Sequence, residues 1–178
     1  MPEGLQQDDD GHVLSGLDRT VGAAAGRSIC LYLCAEMAEG TDPALVTGLV
    51  EAFDVELFLT GREVAYLLEE PGLTERRAEF AAAIYSCEAL LWAIRRLEGL
   101  TSMTADGDFG AIATPLLTAG SWQSVAAGAE FRDRRELEDA LGVARNGPAT
   151  PESIARINGF AWLLDPEARG WDVVASGS

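Results

Sequence analysis

The chain has 178 residues, 29 acidic and 13 basic, for a formal net charge of −16. All the basic residues are arginine, and no lysine is present. The length suits one domain with a real core, and the negative field disfavours nucleic acid and anionic lipid while favouring a basic protein partner.

No apolar run approaches the roughly 18–20 residues that span a bilayer. The N-terminus (Glu3, Asp8, Asp9, Asp10) lacks a basic stretch before an apolar segment, so it does not read as a signal peptide. A cytoplasmic protein is expected. Residues 1–14 read as a disordered acidic tail holding the single histidine, His12, and residues 15–178 as one helical domain.

Ser15-Gly16-Leu17-Asp18 has the form of a capping box, and a helix is expected from there to about Glu39, stopped by Gly40. Its buried face should carry Val21, Ile29, Leu33 and Met37. Gly22 and Gly26 admit a close neighbour or fray the first turns. Asp42-Pro43 starts a second helix, cap then first-turn proline, with Leu45, Leu49 and Phe53 inward. Thr60-Gly61-Arg62-Glu63 is a capping box opening a short helix with Val64, Leu67 and Leu68.

Thr74 is expected to cap the longest helix, running to Leu97 or Glu98 with Gly99 at its C-terminus. Phe80, Ile84, Cys87, Leu91 and Ile94 fall at helical spacing, which makes this the central helix. Residues 100–120 read as a loop or broken helix because of their Gly, Thr and Ala and Pro115. Trp122 stands at a helix start after Gly120-Ser121. Further helices are expected from Arg132 to Arg145 and from Thr150 through Leu164, followed by a short extended tail at Trp171-Asp172-Val173-Val174. The fold class is all-α, a single-domain bundle of about six helices.

Missing residue types exclude most chemistry. Without lysine there is no P-loop lysine, no kinase strand lysine and no Schiff base, so Asp108-Phe109-Gly110 matches a kinase triplet by chance. One histidine makes a Ser-His-Asp or Cys-His site improbable. No dinucleotide fingerprint is present. Cys30, Cys34 and Cys87 read as buried hydrophobes rather than as a disulfide, redox or zinc set. A calcium loop counted from Asp106 would need an acid where Leu117 stands. No metal, cofactor or catalytic residue is expected.

Two segments carry a further signature. Glu88-Ala89-Leu90-Leu91-Trp92-Ala93-Ile94 ends the central helix, and Arg156, Ala161-Trp162-Leu163-Leu164 and Trp171-Asp172-Val173-Val174 follow near the end. Over roughly residues 19–178 this order resembles the bacterial domain-of-unknown-function 4272 family. The resemblance implies a helical fold and lends no activity. It makes Trp92, Arg156, Trp162, Trp171 and Asp172 structural signature residues, with Arg156 expected to pair with Asp172 and fasten the tail. Polar positions depart from the family pattern: Ala82-Ala83-Ile84-Tyr85 stands in place of a Trp-Arg-x-Glu-like run, Ile157 in place of a basic or histidine residue, and Gly177-Ser178 in place of an Asp-Thr-like ending. A site shared by the family would therefore be lost here.

The leading functional expectation is a non-enzymatic, acidic interaction protein, most concretely an immunity-type inhibitor that occludes a basic bacterial toxin or effector. Partner contacts are assigned to Asp106, Asp108, Trp122, Glu130, Arg134, Glu136, Glu138 and Asp139, the last four on a mixed-charge face together with Arg132 and Arg135. The alternative is a small-ligand binder or enzyme using arginine and carboxylates between helices, for which a buried Arg156 or Glu88 opening to a cavity would speak. A third reading is a homo-oligomer paired through apolar helix faces.

Overall fold

The computed structural model describes residues 19–68, 76–101 and 109–165. These form eight α-helices and one 3-10 turn, more than the six expected, and no strand among the described residues. The helices are α1 (Val21–Ala38), α2 (Pro43–Phe53), α3 (Gly61–Leu67), α4 (Arg77–Ala93), α5 (Phe109–Ala119), α6 (Trp122–Ala126), α7 (Arg134–Asn146) and α8 (Pro151–Leu164). The 3-10 turn, η1 (Glu56–Phe58), lies between α2 and α3.

α1 and α4 are the central pair. α8 packs on the other side of α4 and carries α7, while α2, η1, α3 and α6 gather around α1, and α5 sits against α4 and α6. Both central helices are buried nearly all round, as a core helix requires. The reason is compositional: Val21–Ala35 contains one charged residue, Arg27, and Phe80–Ala93 contains one, Glu88.

Close packing depends on glycines. A methyl at Gly26 would fall inside the Phe58 ring, and one at Gly22 would lie 3.0 Å from the Trp122 ring. The paired glycines of α1 thus receive aromatic rings from η1 and α6, which also meet each other edge-on at 5.3 Å. At the α4–α8 crossing, a methyl on Gly159 would lie 3.1 Å from the Ser86 carbonyl and 3.0 Å from the Ala89 methyl.

Several expected boundaries shift. Thr20 caps α1, its side chain accepting from the Ala23 N–H, whereas Ser15 lies outside the described residues. The α1 exit follows expectation. Gly40 takes φ +104°, and the Gly40 and Thr41 N–H groups donate to Met37 and Glu36 carbonyls in a Schellman motif. α4 ends early, at Ala93, with the same motif: Arg95 and Arg96 donate to Trp92 and Leu91. There Arg95, not Gly99, occupies the left-handed position, at φ +59°. Thr74 lies outside the described residues. α4 is one residue shorter than α1, so it is central but not the longest helix.

The buried side of α2 is Val46, Val50 and Phe53, with the expected Leu49 partly buried against the core and the expected Leu45 57% exposed. α3 similarly buries Glu63, Tyr66 and Leu67 and leaves Val64 and Leu68 outside. The Thr60 capping box forms as expected. Residues 109–119 are a helix despite Pro115. Expectations for α7 and α8 hold closely, with Leu137, Leu141 and Ala144 buried and Thr150 capping α8. Residues 1–14 and the tail from Trp171 to Val174 lie outside the described residues.

Candidate functional site

Each central helix carries one buried charge, and each charge is matched by an outer helix. Arg27 of α1 meets Glu63 of α3 through two hydrogen bonds of 2.6 and 2.8 Å. The Arg27 Nη1 also donates to the Phe58 carbonyl at 2.7 Å, and the Glu63 carboxylate accepts from the Thr60 N–H at 2.8 Å. One glutamate thus closes a helix cap and neutralises a core cation. Burial opposes the charge on Arg27, but the hydrogen bonds and charge of Glu63 outweigh it and raise the arginine above its ordinary value.

Glu88 of α4 meets Arg156 of α8 at 2.5 Å through a single Nη2–Oε2 contact. Thr101 closes this pair from the side: its N–H donates to Glu88 at 2.6 Å, and its carbonyl accepts from Arg156 at 2.9 Å. The Arg156 Nε is buried and has no hydrogen-bond partner among the described residues. Its guanidinium lies 5.8 Å from the Tyr85 ring centre. Arg156 was expected to fasten Asp172, a residue outside the described ones; its partner seen here is Glu88.

The three cysteines are free and buried. Burial pushes the Cys30 thiol up to about 12 and raises Cys34 and Cys87 well above the usual thiol range. These thiols stay protonated and unreactive near neutral pH. Among the described residues no three His, Cys, Asp or Glu side chains converge as metal ligands.

Residues assigned to partner contact fall in different environments. Asp106 and Asp108 lie outside the described residues, as do Trp171 and Asp172. Trp122 is half-buried against Gly22 and Phe58. Glu130, Arg134, Glu138 and Asp139 are exposed, and Glu136 is half-buried. On α7, Arg134 bonds Glu138 at 2.8 Å, while Glu136 lies 3.5 Å from Arg132 and 3.6 Å from Arg95. Much of this face is therefore neutralised internally.

Arg132 does not belong to the exposed face assigned to it. It precedes α7 and folds onto the end of α4, donating to the Trp92 carbonyl at 2.9 Å with its guanidinium 4.4 Å over the Trp92 ring. Its backbone N–H donates to the Ala93 carbonyl at 2.8 Å. Arg96 likewise turns to the Val125 and Ala127 carbonyls. These two arginines satisfy groups that a helix end otherwise leaves open. Of the signature residues, Trp92 meets Phe160 edge-on at 5.8 Å, and Trp162 is buried beneath Arg19.

The family model described as Domain of unknown function (DUF4272) matches residues 15–147. The chain belongs to that family. The match includes α1 to α7 and ends before α8, short of the stretch to residue 178 over which the resemblance was drawn. Glu88 thus lies inside the matched region and its partner Arg156 outside it. No curated protein and no solved structure matches the chain.

Burial of Arg156 or Glu88 is among the sequence expectations, but their pairing with each other is not, nor is the burial of Arg27 and Glu63. A lone charge inside an otherwise apolar helical run, Arg27 or Glu88, is the signal that marks them. It announces that a partner exists but not which residue it is.

Proposed function

We propose that this member of the family is a cytoplasmic, acidic interaction protein without catalytic activity, an immunity-type inhibitor that docks on and occludes a basic bacterial toxin or effector. The supporting observation is the direction in which its arginines turn. Of the twelve described, ten donate to a carboxylate or carbonyl of the chain itself or pair with one of its carboxylates. Turned onto their own chain they are engaged with it rather than with a partner, and their charges are already counted in the net −16. The field of that net charge steers the protein onto a basic surface and sets its orientation. Reactive groups in the core point the same way: the thiols are held protonated, and the buried carboxylates are paired with arginine.

The test is co-expression with a candidate toxin domain encoded beside this chain, scored by growth and by binding at low and moderate salt. Rescue with a stoichiometric complex that weakens as salt rises is the expected result. Toxicity undiminished by a well-expressed chain, with no complex at either salt, would sink the reading.

One observation favours small-ligand binding instead. A groove of about 700 Å³ runs between the end of α4, α5 and α6, lined by Arg95, Glu98, Thr114, Thr118 and Ser124 over an apolar floor. Its volume is within the range of ligand sites. A ligand that raises the melting temperature of the wild type but not of Arg95→Ala would move the assignment there.

A further inference from the structure

We propose that the outer face of α2, η1 and α3 is the docking surface and that its occupant is a basic amphipathic segment of a partner protein. This rests on the acidic-partner reading above and gives it a location.

Four of the seven exposed large hydrophobic side chains among the described residues come from this short stretch: Leu45 (57%), Leu57 (94%), Val64 (40%) and Leu68 (67%). Val64 and Leu68, at i and i+4, share one side of α3. The charge of the stretch leading through α2 and η1 is one-sided. Residues 28–61 include six acids and no arginine. None of the ion pairs among the described residues uses Asp42, Glu51, Asp54 or Glu56. α7 is the opposite case, with acids interleaved with arginines that neutralise them.

The leucine that stands out furthest is held by a rigid mount. Beside it, the Phe58 ring fills the space over Gly26 and meets Trp122, and the Phe58 carbonyl accepts from Arg27. On the other side, the Val55 carbonyl accepts from the Cys30 thiol at 3.5 Å. Leu57 is thus presented outward without ordering a loop on binding, which favours an anchor role. Exposed apolar anchors on a stretch whose carboxylates are not neutralised by arginine fit a segment with leucine-like residues on one face and Lys or Arg around them. A second copy of this chain fits poorly, because it would set acids against acids.

The test uses the 15N-labelled full chain and two synthetic helical peptides of equal positive charge, one with a leucine face and one with serine in its place. At moderate salt, amide shift changes should centre on residues 42–68. The leucine peptide should bind about tenfold more tightly than the serine peptide, a difference of about 1.4 kcal/mol. Leu57→Asp should remove that advantage, and Leu45→Asp should reduce it, with melting temperatures unchanged because both side chains are exposed. Glu138→Arg on α7 should leave binding of the leucine peptide within about twofold, as suits a charge away from the docking face. Shift changes confined to α7, or affinity indifferent to Leu57→Asp, would overturn this docking face while leaving the acidic-partner reading standing. Failure of both peptides to bind, even at low salt, would overturn both.

Discussion

The two buried ion pairs use the same residue types and are built differently. Arg27–Glu63 is bidentate, and each partner has further duties, Arg27 to the Phe58 carbonyl and Glu63 to the Thr60 cap. Glu88–Arg156 has one direct contact, relies on Thr101 for closure, and leaves the Arg156 Nε unpartnered among the described residues. The first locks η1 and α3 against α1. The second joins α4 to α8 and ties down the chain where it leaves α4. A buried charge stabilises only when its hydrogen bonds are complete, so equal burial does not mean equal worth.

The largest effect should come from opening the complete pair. Arg27→Met strands Glu63 in the core and is expected to cost about 3–5 kcal/mol in denaturant unfolding. Replacing both partners separates the two sites further. Glu88→Leu with Arg156→Met also strips the Thr101 N–H and carbonyl of their partners, but it removes the buried, unpartnered Arg156 Nε as well, so the loss should stay within about 1 kcal/mol. Arg27→Met with Glu63→Leu should still lose about 1–3 kcal/mol, since the Phe58 carbonyl and the Thr60 N–H lose their partners. Equal losses in the two double variants would remove the distinction.

Helix approach gives the next contrast. Gly159→Ala brings a methyl against the Ser86 backbone carbonyl, whereas Gly26→Ala meets a side chain, Phe58. Both should cost about 1–3 kcal/mol through overpacking. Gly26→Ala should be the worse, because its methyl would lie within 2.5 Å of the Phe58 ring, the Cγ included, whereas the 3.0–3.1 Å approach at Gly159 asks for a smaller shift. A melting-temperature ranking checks this, and the reverse order would mean that the Phe58 ring swings aside from α1.

Arg95→Gly should have a smaller and opposite effect. It removes a side chain from φ +59° on the path from α4 to Thr101 and should add about 1 kcal/mol. The ion pair lost with Glu136 is half-exposed and long, so it contributes little. A loss of stability would show that the arginine side chain holds the second pair's surroundings together.

The last contrast is alkaline and is absent near neutral pH. Cys30, Cys34 and Cys87 have folded values above the ordinary thiol value of 9.0. Above pH 9 the unfolded chain therefore binds fewer protons than the folded one, and stability falls as pH rises. Cys30 and Cys34 lie in the fields of Arg27 and Glu63, and Cys87 in that of Glu88. Cys30→Ala with Cys34→Ala should flatten the slope between pH 9 and 11 more than Cys87→Ala does. Unfolding measured across that range, with equal slopes for the two variants, would count against the difference.

Local signals read correctly where they depend on neighbours in the chain. Asp42-Pro43, Thr60 with Glu63, Gly40 and Thr150-Pro151 all act where their chemistry places them. The α2 stripe failed because Leu45 and Val46 are both apolar, so spacing alone chooses poorly between adjacent faces. The α4 end differs because a C-terminal glycine is a preference and not a requirement; Arg132 binds the Trp92 carbonyl at that end, Arg96 ties the exit to the Val125 carbonyl of α6, and Arg95 between them takes the strained position. The α7 candidates were legible as charged but not as neutralised, since Arg95 comes to Glu136 from another helix.

By itself, the sequence determined the helical class, the N-caps of α2, α3 and α8, the acidic character with arginine as its only basic residue and the exclusion of lysine- and histidine-based chemistry, because these depend on residue type and short-range spacing. Only the tertiary structure decided the partners of the two core charges, which arginines turn inward and which leucines stay outside. Those outcomes depend on contacts between residues up to 143 positions apart, as for Arg19 and Trp162, and chain-local rules do not reach that far.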